Sequence, residues 1–290
     1  MITGIDHTVV VAESLVEAAL TAGRLGFRTT PPATHPFGTA NALVQLRGSF
    51  LEYLAIMDES LFPEERPDAF SFPSFNRDFL IGEGAGISML ALKTDDPDAL
   101  AARLAEVGLS RHPTFSFERT AQAPDGRELP VSFTLAFASH PDFVRAGVFA
   151  VAHHQPENFW HAAYQAHPNT ALAMTAITMV APHPDATART LGAVVGAVPV
   201  HADGGLRIAL ADGAAIEVLD GATFAERYGS EAFDGKILPR FAAMTISVAD
   251  LSATRAALAA GAMPFTETAG DTLTVAAEDG GGCGYRFVAA

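Results

Sequence analysis

The sequence predicts an α+β protein of four βαβββ units, paired into two curled mixed sheets. Three observations carry this prediction. A strand running straight into a helix start occurs four times along the chain. Between the recurrences, short apolar segments are separated by turns containing Gly and Pro. At 290 residues, 49% hydrophobic and 18% charged, the chain can bury a large core and is too apolar to be disordered.

The first unit opens at Gly4-Ile5-Asp6-His7, where Val9 to Val11 form a β-branched run suited to a pleated sheet. Ser14 stands where it can cap a helix whose apolar face carries Leu15, Ala18, Ala19 and Leu20. Strands are expected at Gly26 to Thr30, Ala40 to Arg47 and Phe50 to Ile56, with Gly48-Ser49 as a tight turn. A polar, Pro-rich connection is expected from Asp58 to about Arg77.

The second unit opens at Gly86 to Asp96, and Asp96-Pro97 starts a helix bearing Leu100, Leu104 and Val107. Strands follow at Thr114 to Arg119, Val131 to Phe137 and Gly147 to His153. The third unit starts near Met174 to Ala181, with strands at Ala197 to His201, Leu206 to Ala211 and Ala215 to Leu219. The fourth opens at Met244 to Ser252 and ends with Thr272 to Ala276 and Tyr285 to Val288. Gly280 to Gly282 is a turn rather than a phosphate loop, because no helix follows it. His7 to Leu15 lies over Met244 to Ser252, and Met89 to Asp96 fits the same frame. One unit cannot bury its sheet face alone, so paired units should share a cleft. Residues 1–168 form the first expected pair and residues 169–290 the second.

A net charge of -15 argues against nucleic acid or an anionic membrane as partner. The single cysteine, Cys283, excludes an intramolecular disulfide and a cysteine-rich zinc site. The amino terminus shows no basic n-region and no apolar run is long enough to span a bilayer, so a cytoplasmic protein is expected.

An inward His on the first strand and a Glu on the fourth strand of a βαβββ repeat resemble the vicinal oxygen chelate superfamily. The segments Gly4 to His7, Phe50 to Leu54, Phe75 to Asp78, Phe149 to Trp160 and Tyr164 to Asn169 further resemble its glyoxalase-like domain proteins. That resemblance implies a divalent metal acting as an electrophile, and two cleft positions in each unit, one on strand one and one on strand four. Those positions are His7 and Glu52 in unit one, and Met89 with His153 or His154 in unit two. In unit three they are Ala176 and Glu217, and in unit four Met244 and Arg286. The first pair therefore offers His7, Glu52 and His154 or His153 to Zn²⁺, Ni²⁺, Mn²⁺ or Fe²⁺. Strand alternation lets only one of the two adjacent histidines face the cleft. Distortion by Gln155-Pro156 favours His154. In the second pair, Glu217 opposite Arg286 suggests an ion pair in place of a metal.

The expected function is a metal-dependent lyase or isomerase acting on a small carbonyl or diol substrate, with Glu52 moving a proton. Extradiol-type dioxygenase chemistry is the alternative, and a non-catalytic small-molecule binding protein the rival class. Arg119, Trp160 and His167 are the candidate substrate-binding residues. His167 and Asn169 equally suit a loop-holding role, and Trp160 a plug. A monomer and a homodimer are both open.

Overall fold

The computed structural model describes residues 1–110, 112–230, 238–268 and 271–290. The first half contains strands β1 (Ile2–Val11), β2 (Ala33–Thr34), β3 (Thr39–Gln45), β4 (Phe50–Ile56), β5 (Gly86–Thr94), β6 (Phe115–Gln122), β7 (Glu128–Phe137) and β8 (Gly147–His153). Helices α1 (Leu15–Arg24), α2 (Phe72–Glu83), α3 (Pro97–Glu106) and α4 (Pro156–Phe159) interrupt and follow them. The second half contains β9 (Ala171–Val180), β10 (Val200–Ala202), β11 (Gly205–Ala209), β12 (Ala215–Leu219), β13 (Arg240–Val248), β14 (Thr266–Thr268), β15 (Thr272–Val275) and β16 (Gly284–Ala289). Its helices are α5 (Pro184–Val195), α6 (Gly221–Tyr228) and α7 (Leu251–Ala260).

Each half makes one eight-stranded mixed sheet, ordered β2-β3-β4-β1-β5-β8-β7-β6 and β10-β11-β12-β9-β13-β16-β15-β14. The two orders are the same pattern, so the halves repeat each other as the four-unit reading requires. In each sheet the opening strands of the two units lie side by side and antiparallel, β1 on β5 and β9 on β13. Each opening strand also runs parallel to its own unit's last strand, as β1 does to β4 and β9 to β12.

Strand alternation divides the side chains between two environments. Ile5, Leu51, Tyr53, Leu90 and Val148 face the helices, in a core that continues into Ile177, Met244 and Tyr285 of the second half. Val9, Phe50, Leu54, Met89, Phe133 and Phe149 face the first cleft in a separate, phenylalanine-rich cluster. Ser14 caps α1, its hydroxyl accepting from the Val16 N–H at 3.1 Å. Asp96 caps α3 in the same way through Ala99.

Three elements differ from expectation. Gly26 to Thr30 is the exit of α1 rather than a strand: Gly26 takes φ +80°, and the Phe27 N–H donates back to Ala22 O. The expected polar connection contains the start of α2, with Pro73 in its first turn and Gly84 at φ +78° closing it. Helix α6, capped by Asp220, whose carboxylate accepts from the Thr223 N–H at 2.7 Å, follows β12 as α2 follows β4.

Candidate active site

The cleft of the first sheet is lined from β1, β3, β4, β6, β7 and β8, and its inner space of about 50 Å³ is walled mostly by eight phenylalanines. The polar residues among them are His7, His35, Asn41, Glu52, Arg119 and His153. His7 and Glu52 stand on adjacent parallel strands, His7 beside Phe50 and Val9 beside Glu52. This brings His7 Nε2 to 3.6 Å from Glu52 Oε2, with both residues buried.

Each member of the pair is held from behind. Asp6 Oδ1 lies 2.7 Å from His7 Nδ1, and Asp6 also lies 3.1 Å from His153 Nε2. Burial works against the Asp6 charge. The charges and hydrogen bonds of His153 and His7 overcome it and hold the carboxyl well below the usual carboxylate range. An ionised Asp6 only accepts, so His7 Nδ1–H and His153 Nε2–H both donate to it. His7 therefore presents Nε2 to the cleft. His153 Nδ1 then needs no proton, which suits its burial without a partner among Phe133, Phe159 and Trp160.

On the other side, Asn41 Nδ2 donates to Glu52 Oε1 at 2.5 Å and approaches His35 Nε2 at 3.2 Å. His35 Nδ1 lies 2.7 Å from Thr39 Oγ1. Burial, and secondarily the charge of Arg119, outweigh the pull of Glu52 and bring the His35 pKa down to about 4. His35 is thus a neutral imidazole that accepts from Asn41. His7 is also packed in place, its ring stacked on Phe50 at 4.2 Å between centroids.

Of the two adjacent histidines, the sheet turns His153 toward the cleft and His154 away. The expected preference for His154 is corrected by register: β8 remains regular through His153, which sits beside Phe133 on β7. His154 lies on the far face, Nε2 at 2.8 Å from Thr134 Oγ1. Register also relocates the second unit's strand-four position. Val9 lies beside Met89 on β5, which makes Met89 the counterpart of His7. Ala91 lies beside Phe149 on β8 as Val9 lies beside Glu52, so Phe149 rather than His153 is the counterpart of Glu52.

The expected metal does not fit this donor set. His7 and Glu52 are neighbours, but the two remaining repeat positions carry Met89 and Phe149, and His153 Nε2 is engaged by Asp6. Among the described residues no group of three or more His, Cys, Asp or Glu side chains stands close enough to hold an ion. His7, Glu52, His153 and His154 are therefore not gathered around one point as ligands.

The three candidate substrate contacts separate. Arg119 lines the inner space and also an open vestibule of about 530 Å³ outside it. Trp160 is not part of the inner wall; it stands behind His153, stacked at 6.0 Å, with an edge toward Phe50. His167 braces the chain, its Nε2 donating to Gln45 O at 2.7 Å and its Nδ1 accepting from the Arg28 N–H at 3.1 Å. Asn169 does the same through Leu25 O. Asp6, His35 and Asn41 were not expected at the site. The signal for Asn41 was present: a polar residue at a cleft-facing place in an apolar strand, opposite Leu54 and two residues before Leu43.

The second cleft is closed by its own residues. Glu217 holds the position of Glu52, but it pairs with Arg207 Nη1 at 3.2 Å and Arg227 Nη1 at 2.8 Å, rather than with Arg286 as expected. Arg227 arrives on α6, whose Phe224 and Tyr228 fill this cleft against Val180, Leu219 and Ala243. The strand-one position of the fourth unit is Ala243, one residue from the expected Met244, because β13 slips register between Phe241 and Ala243.

One built cleft and one filled cleft on paired βαβββ sheets define a glyoxalase-like protein. A family model described as a glyoxalase-like domain matches residues 5–195, and the chain belongs to that family. A hypothetical protein from Staphylococcus aureus has a similar fold, with a TM-score of 0.64, 12% identity and 99% of each chain covered. A variant of 4-hydroxymandelate synthase from Streptomyces coelicolor matches with a TM-score of 0.60 and 13% identity, over 99% of this chain and 92% of that one. A fusion of a xylose isomerase-like TIM barrel with 4-hydroxyphenylpyruvate dioxygenase matches with a TM-score of 0.57 and 12% identity, over 93% of this chain and 40% of that one. These identities speak for the fold alone. No curated protein matches the chain. No helix among the described residues is long and apolar enough to cross a membrane.

Proposed function

We propose that this protein is an enzyme that shifts a proton on a small carbonyl compound held in the first cleft, with Glu52 and His7 as the acid–base pair. The 3.6 Å separation of His7 Nε2 and Glu52 Oε2 carries this reading. It is too long for a direct hydrogen bond and short enough for both groups to reach one substrate atom. Glu52 takes the proton from the carbon beside the carbonyl, and the electron pair of that bond moves onto the carbonyl oxygen. On a substrate with a hydroxyl on that carbon, the same carboxyl returns the proton to the former carbonyl carbon, while the hydroxyl gives its proton to the enediolate oxygen and becomes the new carbonyl. His7, oriented by Asp6, lies beside Oε2 and exchanges that proton. The phenylalanine wall keeps water from the reacting carbon. This is isomerase or lyase chemistry in which the chain's own residues move the proton.

The test is exchange of substrate C–H for deuterium in heavy water, followed by proton NMR over a panel of small ketones, aldehydes and keto acids. Wild type is expected to catalyse exchange with at least one of them. Glu52→Gln and His7→Gln should each lose roughly a hundredfold or more of it. No exchange by wild type, or full exchange by Glu52→Gln, would sink the proposal.

A further inference from the structure

Arg119 has no task in the proton shift, and its surroundings give it one. Among the described residues several other half-buried guanidinium groups are matched to acceptors, Arg286 in the second cleft being an exception. Arg227 and Arg207 hold Glu217, Arg240 holds Glu83, and Arg103 donates to the carbonyls of Ala193 and Val194. Arg119 makes one hydrogen bond, Nη1 to Thr120 O at 3.2 Å, and lies over the Phe133 ring at 5.8 Å from its centroid. Among the described residues no carboxylate lies within 4.0 Å of it. Burial lowers its pKa, and Glu52 opposes that shift without touching it. A desolvated guanidinium without a counter-ion is costly unless an anion joins it. Its planar fork suits a carboxylate, which it can grip by two parallel hydrogen bonds.

Position and lining narrow the anion further. Arg119 lines both the inner space and the vestibule, so it stands where a bound molecule would pass from one to the other. Beyond it the walls are phenylalanine rings around a small free space of about 50 Å³. Flat, unsaturated bodies pack against such rings by face and edge. The same space also holds Glu52, which would repel a second negative charge placed deeper than Arg119.

We propose that the ligand of this cleft is a flat monocarboxylate, its carboxylate on Arg119 and its ring or unsaturated body among the phenylalanines, reaching toward His7 and Glu52. The inference rests on reading this cleft as the substrate site. Binding and proton transfer can be measured apart.

Isothermal titration of the full chain with cinnamate and with cinnamamide, which match in shape and differ in charge, tests it. Wild type is expected to bind the acid at least tenfold more tightly than the amide. Arg119→Gln should remove that preference with an unchanged circular dichroism spectrum, and Arg119→Lys should keep part of it. Equal binding of acid and amide, an unaltered preference in Arg119→Gln, or no binding of the acid by wild type would overturn the proposal. If Arg119→Gln does not fold, the wild-type comparison and Arg119→Lys decide. Acid-selective binding without deuterium exchange would sink the proton-transfer reading and leave this inference standing. Exchange on neutral carbonyl compounds without acid selectivity would do the reverse.

Discussion

At the residue scale, the cleft is defined by how each polar side chain is spent. Asp6 serves two histidines, Asn41 bridges Glu52 and His35, and the neutral His35 completes the row. That neutrality has a price in acid. In the unfolded chain His35 takes up a proton near its ordinary 6.5, but in the folded protein only near about 4. The unfolded state therefore binds more protons between those values, and folding stability falls as the pH falls through that window. The contribution is fully present above 6.5, and its loss amounts to about 3 kcal/mol by the time the pH reaches 4. Urea unfolding at pH 7 and pH 5 should show a drop for wild type and a smaller drop for His35→Gln. Equal drops would mean that His35 is not buried as a neutral base. His7 and Glu52 were legible in the sequence because a charged or titratable residue inside an apolar strand stands out. Asp6 and His35 were not, because their roles depend on partners far along the chain, His153 for Asp6 and Glu52 for His35.

At the scale of elements, most strands were legible, Gly26 to Thr30 apart, and the two helices that decide the clefts were not. Period-two alternation and turn residues mark each strand locally. Helices α2 and α6 are specified by what they pack against. Phe75 of α2 lies near Gly147, and Tyr228 of α6 lies near Gly284, the matching glycine of the fourth unit. One repeat rule is used twice with opposite results: α2 leaves a space and α6 fills it. Register was misread where strands slip, as at Met244, since the sequence shows no sign of a bulge that depends on the neighbouring strand. The filling role of α6 is testable. Tyr228 is 1% exposed, and its hydroxyl lies 2.9 Å from Thr178 Oγ1. Tyr228→Ala should cost about 3–5 kcal/mol in urea unfolding, as large buried aromatic truncations do. Tyr228→Phe, which loses only the hydrogen bond, should cost about 1 kcal/mol. A cost below about 1 kcal/mol for Tyr228→Ala would show that α6 is not packed into the second cleft.

At the scale of the whole molecule, the halves meet through groups that must stay neutral. The helix-facing core runs from one sheet to the other, and at its centre the Tyr53 and Tyr285 hydroxyls lie 3.2 Å apart. The Cys283 thiol donates to the Tyr285 oxygen at 3.2 Å. Burial pushes the Cys283 thiol up to about 12 and raises both tyrosines well above their ordinary range. Nearby, the peptide at Gly282 approaches Ala85 so closely that a side chain there would meet its carbonyl oxygen at 1.9 Å. The junction therefore tolerates neither added atoms nor added charge. For a group whose folded pKa is raised, stability is present below the unfolded value and lost as the pH climbs toward the folded one. The thiol begins to favour the unfolded chain near 9 and continues to do so up to about 12, and the tyrosines join above 10. The protein should thus lose stability steadily from pH 9 upward, in a transition that exposes both tyrosines. Melting followed by tyrosinate absorbance at pH 8, 9.5 and 10.5 measures it. Cys283→Ala removes the first of the three groups and should flatten the fall between pH 9 and 10 while leaving the fall above 10. If melting temperature holds constant to pH 10.5, or if Cys283→Ala leaves the slope between 9 and 10 unaltered, the buried row does not join the halves in the way its geometry implies.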